Sequence, residues 1–252
     1  MDKTGLGLQR KIIVIATLAL FAVACSKSTP PKNTTVYSTP PPIPPEAVKV
    51  ERPVEVSFST YSKDWPVGWQ WIDPSEKDSP TPKDVRKGVL RVRIPNGKDM
   101  YGGNVSAPRY VKPITGDFQI ETRVRFLPKE NYQGAGLLIY VDDHTYLRFE
   151  RAYGGVGGGA DGIRLDLRLR DKYSPIVTPD DLPTELEEVD LRVVRTGRRF
   201  LAYWRENEDG AWREAGSVDV DFPATVMAGL AACNTAREVI AEFGYIRLLP
   251  VG

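Results

Sequence analysis

The sequence predicts an all-β protein built as a two-sheet antiparallel β-sandwich, and three observations support this fold class. From about residue 50 onward, apolar and polar residues alternate with a period of two, which is typical of half-buried strands. Turn signals separate the alternating segments, among them Pro-Asn-Gly at 95–97 and Glu-Asp-Gly at 208–210. Helical periodicity approaches ten residues only at 180–189, which we interpret as a short turn. Together these features favour a sandwich of antiparallel strands.

About ten segments alternate in this way, and each predicts one strand. Successive side chains of a strand point to opposite faces, so each segment places one apolar row inward. Residues 134–141 are nearly all apolar, as expected of a central strand. The other predicted strands are 54–59, 89–94, 118–126, 145–151, 162–170, 189–194, 199–206, 225–232 and 239–248.

The segment 145–151, Thr-Tyr-Leu-Arg-Phe-Glu-Arg, carries the most informative outward row. Leu147 and Phe149 fall on the core face of this strand, and Tyr146, Arg148 and Glu150 fall on the other face. Outward residues of the neighbouring predicted strands extend the row, and they are Tyr140, Arg123, Arg164, Asp166 and Arg168.

We interpret this row as a candidate ligand-binding surface. Aromatic rings pack on the C–H faces of sugars, and planar polar groups hydrogen-bond to their hydroxyls. The excess of arginine suits an anionic glycan, because guanidinium binds carboxylate or sulfate in a bidentate manner. The alternative is a solvated sheet surface in which cross-strand ion pairs explain the same residues. Further candidate rings are Trp65, Trp69, Trp71, Tyr101 and Trp204.

The first 25 residues predict export rather than fold. Lys3, Arg10 and Lys11 precede an apolar run at 12–24, which is shorter than the ~20 residues of a transmembrane helix. Small residues lead directly to Cys25, and this arrangement resembles the signal peptide of a bacterial lipoprotein. That resemblance implies removal of residues 1–24 and a lipid on Cys25. An ordinary secretory signal followed by a chance cysteine is the alternative.

The predicted organisation has three parts. Residues 1–24 are the lipoprotein signal peptide, residues 25–50 are the lipidated cysteine with a Pro-rich tether, and residues 51–252 are the sandwich domain. The tether composition disfavours a packed core and favours extended conformations. We therefore expect a membrane partner through the lipid anchor. The expected location is the bacterial cell envelope, at the outer membrane and periplasm or at the cell surface.

Several segments of the sandwich carry a family resemblance. They are Gly-Trp-Gln-Trp-Ile-Asp-Pro at 68–74, the alternating strands at 87–95 and 106–128, the hairpin at 133–151 and the segment 189–214. Their order resembles the DUF1349-type domains of the concanavalin A-like lectin/glucanase superfamily. It is also similar to the β-sandwich appended to some family 43 glycoside hydrolases. The resemblance implies a two-sheet jelly roll in a superfamily that often binds or cleaves glycans.

The residues argue against several other kinds of site. Retaining glycosidases of this superfamily commonly carry a Glu-x-Asp-x-x-Glu strand, and the sequence has no such run. The outward carboxylates Glu121, Glu150 and Asp166 alternate with arginines, which lower a carboxylate pKa and disfavour a general acid. One histidine, His144, and one further cysteine, Cys233, are too few for a zinc site. The formal net charge of +1 does not favour nucleic acid.

The leading interpretation is a membrane-anchored lipoprotein with a non-catalytic, glycan-binding β-sandwich, whose partner is a polysaccharide or an envelope protein. A structural or protein-interaction domain of the envelope is one alternative, and a divergent glycoside hydrolase is another. We expect no cofactor. A structural calcium ion stays open, because loop carboxylates are present without a spacing signature, at Asp142, Asp143 and Asp161.

Overall fold

The computed structural model describes residues 46–58, 66–155 and 158–251. The predicted signal peptide, Cys25 and most of the tether lie outside these described residues, as does Trp65. Over the described ranges the chain forms strands and no helix. No helix long and apolar enough to cross a membrane is therefore found among the described residues.

The strands are numbered here in chain order. They are β1 (Val48–Lys49), β2 (Val54–Ser57), β3 (Gln70–Ile72), β4 (Lys83–Arg86), β5 (Val89–Ile94), β6 (Met100–Tyr101), β7 (Asn104–Val105), β8 (Arg109–Thr115), β9 (Phe118–Phe126), β10 (Gly134–Asp142), β11 (Thr145–Gly155), β12 (Gly158–Leu169), β13 (Lys172–Val177), β14 (Glu188–Thr196), β15 (Arg199–Arg205), β16 (Arg213–Asp219), β17 (Thr225–Cys233) and β18 (Val239–Leu249). All ten predicted strands are present. Most of the additional strands are short or lie at sheet edges, but β8 was missed although it has seven residues and pairs with β17 inside the first sheet.

Two large sheets form the sandwich, and this confirms the predicted fold class. The first sheet has the order β1-β8-β17-β10-β11-β12-β13, with β3 also paired to β8. The second sheet has the order β16-β15-β14-β9-β18-β5-β4, with β2 also paired to β18. Apart from the short parallel pair β1–β8, the strand pairs of both sheets are antiparallel.

The core lies between the two sheets and is built from the inward rows that the alternation predicts. Leu147 and Phe149 of β11 are 1% and 0% exposed, and they belong to the same apolar cluster as Val124 of β9 and Phe243 of β18. Burial of one such side chain contributes about 1.5–3 kcal/mol. The inward row of β11 thus fixes which of its residues point away from the core.

A smaller apolar cluster covers part of the outer face of the first sheet. Met100 and Val105 come from the β6–β7 hairpin and pack against Tyr140, Tyr146 and Met227. The hairpin is therefore a cover on this face rather than a member of either sheet.

A buried ion pair secures the chain just before the hairpin. Lys98 and Asp73 have side chains that are 2% and 1% exposed, and Lys98 Nζ lies 2.9 Å from Asp73 Oδ1. The Thr81 amide donates to the other carboxylate oxygen at 2.6 Å. The Asn234 amide donates to the Lys98 carbonyl at 2.7 Å, which ties the same segment to the end of β17.

Candidate functional site

Seven of the eight predicted ligand-binding residues lie on the outer face of the first sheet. They are Tyr140 of β10, Tyr146, Arg148 and Glu150 of β11, and Arg164, Asp166 and Arg168 of β12. The strand register pairs Tyr140 with Tyr146, Arg148 with Asp166, and Glu150 with Arg164. Paired residues share a face of the sheet, so the predicted row is continuous over three strands.

The eighth residue, Arg123, does not belong to this group, and its placement in the row is wrong. Arg123 lies on β9 of the second sheet, where its Nε donates to Asp190 at 2.8 Å. Glu121 and Arg125 lie on the same strand. The period of two assigns a residue to a face of its strand, but it does not say which sheet the strand joins.

The row is buried, so the expectation of a solvated sheet surface is also wrong for these residues. Arg148 is 6% exposed, Glu150 is 1% exposed and Asp166 is 1% exposed. Tyr146 is covered by the apolar cluster that includes the β6–β7 hairpin. Buried charges must be paired, because an isolated buried charge costs several kcal/mol.

The buried charges form one ion-pair network. Arg164 Nη2 lies 2.6 Å from Glu150 Oε2, and Arg164 Nε lies 2.9 Å from Asp166 Oδ2. Arg148 Nη2 reaches the same Asp166 oxygen at 3.2 Å. The Tyr173 hydroxyl donates to the other Asp166 oxygen at 2.8 Å. Two guanidinium groups and two carboxylates are thus held together beneath the surface.

Burial and the ion pairs act in opposite directions on these groups. Burial alone raises the pKa of Glu150, but Arg148 and Arg164 outweigh it, and the net pKa lies below the ordinary value. Burial raises the pKa of Asp166, and Arg164 and Arg148 oppose that shift. Burial lowers the pKa of Arg148, but Glu150 and its other neighbours raise it well above the ordinary range.

A cleft of about 490 Å³ opens above this network. Its volume lies in the range of about 300–1,000 Å³ that is typical of small-molecule sites. The residues around it are Asp99, Tyr101, Tyr132, Arg148, Arg164, Asp166, Tyr173 and Thr235. Three of the seven predicted residues on this face therefore form part of the cleft, whereas Tyr140, Tyr146, Glu150 and Arg168 do not line it.

Tyrosine rings border the cleft. Tyr101 and Tyr132 are 55% and 45% exposed, so both rings are accessible to a ligand. The Tyr101 and Tyr173 rings meet edge to face, with centroids 5.9 Å apart and planes at 87°. The cleft therefore combines a charged floor with accessible aromatic walls.

Asp99 lies in the cleft beside the two arginines and was not predicted. The Met100 amide donates to Asp99 Oδ1 at 2.7 Å. Burial raises the pKa of Asp99, while Arg148 and Arg164 lower it by a smaller amount. The residue directly precedes the short strand β6, and no alternating pattern marks it in the sequence.

Tyr132, Tyr173 and Thr235 were missed as well, whereas Tyr101 was among the predicted candidate rings. Tyr132 lies in a loop and has a positive φ of 69°, a conformation that a tyrosine in the sequence does not predict. Thr235 follows β17, and its hydroxyl donates to the Asn131 carbonyl at 2.9 Å. Only the topology brings these loops to β11 and β12.

The other candidate rings do not join the cleft. Trp69 stacks on Tyr110 with centroids 4.9 Å apart, and Trp204 is buried in the core. Trp71 packs against the core, with Lys83 Nζ 4.4 Å from its ring centre.

The groups considered for metals and nucleophiles have other partners. Among the described residues, no group of three His, Cys, Asp or Glu side chains is arranged to hold a metal ion. Asp143 accepts from the Tyr140 hydroxyl at 2.5 Å, and Asp161 pairs with Arg151. His144 Nδ1 lies 2.9 Å from exposed Asp171. Cys233 is buried, and burial raises the pKa of its thiol to about 12.

Comparison with known families identifies a domain family that covers most of the described chain. The family model described as the beta xylosidase C-terminal concanavalin A-like domain matches residues 57–248. No curated protein sequence matches the chain.

Solved structures share the fold at low sequence identity. A functionally unknown protein from Saccharomyces cerevisiae has a TM-score of 0.59 and 15% identity, over 73% of this chain and 98% of its own. The GH43 protein BlXynB from Bacillus licheniformis has a TM-score of 0.62 and 17% identity, over 78% of this chain and 39% of its own. Xylan beta-1,4-xylosidase from Bacillus halodurans has a TM-score of 0.59 and 18% identity, over 77% of this chain and 38% of its own. The chain spans about two-fifths of the length of each of these last two structures.

Proposed function

The chain belongs to the family of beta xylosidase C-terminal concanavalin A-like domains, and on that premise we propose that its cleft is a non-catalytic glycan-binding site. The observation that carries this proposal is the cleft itself, where Tyr101, Tyr132 and Tyr173 stand beside the polar groups of Asp99 and Arg148. Rings that contact sugar C–H faces, next to carboxylates and hydroxyls that bind sugar hydroxyls, are the chemistry a glycan site needs.

The state of the carboxylates supports binding rather than hydrolysis. Glycoside hydrolysis generally uses two carboxyl groups that flank the scissile bond, one as acid and one as base or nucleophile. Asp166 is engaged by Arg148, Arg164 and Tyr173, so its oxygens are already occupied. Glu150 lies below the cleft and is held by Arg164. Asp99 is then the single cleft carboxyl, among the described residues, without a salt bridge.

We also propose that the domain, which we regard as DUF1349-type, is displayed by a lipoprotein of the bacterial envelope. Residues 1–24 would be the signal peptide, Cys25 the lipidated residue and residues 26–46 the tether. Labelling with a fatty-acid analogue tests the anchor, because Cys25→Ser removes the label if Cys25 is the acceptor.

Affinity electrophoresis of the full chain, in a detergent without a sugar headgroup, tests glycan binding. The gels contain a panel of polysaccharides, and the wild-type chain is compared with Tyr101→Ala/Tyr132→Ala. We expect one or more polymers to retard the wild type and to leave the double variant unretarded. Tyr203→Ala is the matched control, because Tyr203 lies on β15 of the second sheet.

Two results would count against this proposal. Equal retardation of the wild type and the double variant would place the binding surface outside the cleft. No retardation by any polymer would instead favour a protein partner in the envelope.

A further inference from the structure

The floor of the cleft is balanced in charge. Arg148 and Arg164 contribute two guanidinium groups, and Glu150 and Asp166 contribute two carboxylates at ion-pair distances of 2.6–3.9 Å. The arginine excess inferred from the sequence therefore disappears once each partner is placed. Each buried guanidinium therefore already has a carboxylate partner at ion-pair distance.

The neighbouring cations also have ion-pair partners. Arg168 pairs with Asp171 and donates to the Gly102 carbonyl at 3.0 Å. Arg237, two residues beyond Thr235, pairs with Glu130 at 2.9 Å. An anionic ligand in the cleft would therefore meet no unpaired cation among the described residues that border it.

Asp99 is a further carboxyl at this balanced site, and it adds negative charge when it is ionised. One of its oxygens accepts from the Met100 amide, and the carboxyl forms no salt bridge among the described residues. Burial raises the pKa of Asp99 and Glu150 raises it further, whereas Arg148, the Met100 amide and Arg164 oppose this shift and favour the ionised form. The ionised carboxylate accepts hydrogen bonds from hydroxyls but repels carboxylates and sulfates.

We propose that the cleft selects neutral glycans over uronic acid or sulfated glycans, with Asp99 as the residue that sets this preference. The proposal rests on the glycan-binding function proposed above and names its ligand class. Asp99 accepts hydrogen bonds from sugar hydroxyls, while the Tyr101 and Tyr132 rings contact the sugar faces. Charge-assisted hydrogen bonds of this kind are stronger than neutral ones, which makes Asp99 the main polar contact.

The test uses matched polymers that differ in charge. Mannan is paired with polymannuronate, dextran with dextran sulfate, and hydroxyethylcellulose with carboxymethylcellulose. Binding to the full chain is measured by titration calorimetry at physiological salt, which screens non-specific attraction between surface charges. We expect a neutral member of the panel to bind and its acidic counterpart to bind at least tenfold more weakly.

Two variants test whether Asp99 is the residue that sets the preference for neutral glycans. Asp99→Asn keeps an oxygen for the Met100 amide and removes the charge, so we expect about tenfold weaker binding of the neutral polymer. Asp209→Asn is the control, because it makes the same change in net charge at an exposed turn after β15. An unfolding curve for each variant confirms that both are folded.

The outcomes separate this inference from the proposed function. Binding of an acidic polymer equal to or tighter than its neutral partner overturns the neutral preference and leaves glycan binding standing. Unchanged affinity in Asp99→Asn overturns the role of Asp99. Absence of heat with every polymer overturns glycan binding itself, and the neutral preference with it.

Discussion

Glu150 and Arg164 face each other across strands β11 and β12, with 2.6 Å between the carboxylate Oε2 and the guanidinium Nη2. Both side chains are buried, and Arg164 also reaches Asp166 at 2.9 Å. The pair is thus part of the floor on which the cleft rests. Its neutrality explains how an arginine-rich row is tolerated under a cover of tyrosine and apolar side chains.

Removal of Glu150 should destabilise the domain strongly. Glu150→Ala leaves Arg164 buried without its closest carboxylate, and breaking a buried pair in this way costs about 3–5 kcal/mol. Glu130→Ala is the control, because Glu130 forms a 2.9 Å pair with Arg237, which is 87% exposed. The free energy of unfolding of the control should fall by less than about 1 kcal/mol. Denaturant unfolding measures both, and equal losses would contradict a buried network.

Gly136 on β10 should not accept a side chain. A methyl group there would overlap the carbonyl oxygen of Phe149 and crowd Leu191 of the opposite sheet. Overpacking of this kind costs about 1–3 kcal/mol, so Gly136→Ala should lower the thermal unfolding midpoint by several degrees. Gly103→Ala meets nothing within 4 Å and should leave the midpoint nearly unchanged. An unchanged midpoint in Gly136→Ala would contradict this close approach of the Phe149 carbonyl and Leu191 to Gly136.

The Cys233 thiol should be unreactive in the folded protein. Burial raises its pKa to about 12, and only the thiolate reacts with disulfide reagents. With Cys25→Ser in the same chain, Ellman's reagent at mildly alkaline pH should label Cys233 only as fast as the protein opens. Denaturing guanidinium chloride provides the fully reactive reference. Rapid labelling under native conditions would contradict the packing of β17 on this face.

Asp99 should make stability depend on pH in a defined direction. The pKa of Asp99 is raised in the folded state, mainly by burial. At pH values just above the ordinary aspartate pKa, the folded protein therefore binds more protons than the unfolded chain. Protonated Asp99 therefore adds to the free energy of unfolding. This contribution is fully present below the ordinary aspartate pKa and is lost as the pH rises through the pKa of Asp99 in the folded state. Asp99→Asn should therefore gain stability relative to the wild type on going from acid to neutral pH.

Urea midpoints at a series of pH values measure this difference. Other titrating groups, Glu150 included, are present in both chains and cancel to a first approximation. The Asp209→Asn variant corrects for the change in net charge. A gap between wild type and Asp99→Asn that is constant across the series would contradict a raised pKa.

The alternating pattern was sufficient for the fold class and for the outward row of β11 and β12. A period of two decides the face of each residue, and Leu147 and Phe149 are buried in the core as the pattern requires. The pattern has no information on which sheet a strand joins, and Arg123 was misplaced for that reason.

The cleft could not be assembled from the sequence. Asp99 and Tyr101 lie at a two-residue strand, Tyr132 lies in a loop, and Thr235 follows a strand distant in the chain. None of these positions carries a periodic signal. The sequence pattern also did not predict that the β6–β7 hairpin covers this face. The row that was predicted to face outward is therefore buried.

Fluorine NMR of the protein labelled with fluorotyrosine tests the central claim most directly. The chain has 11 tyrosines, and Tyr101→Phe and Tyr132→Phe assign the two cleft signals. Titration with the neutral polymers of the panel should shift the Tyr101 and Tyr132 signals, while their acidic counterparts leave both in place. Cleft signals that stay fixed with every neutral polymer, or that move only with the acidic ones, would contradict a neutral glycan site in this cleft.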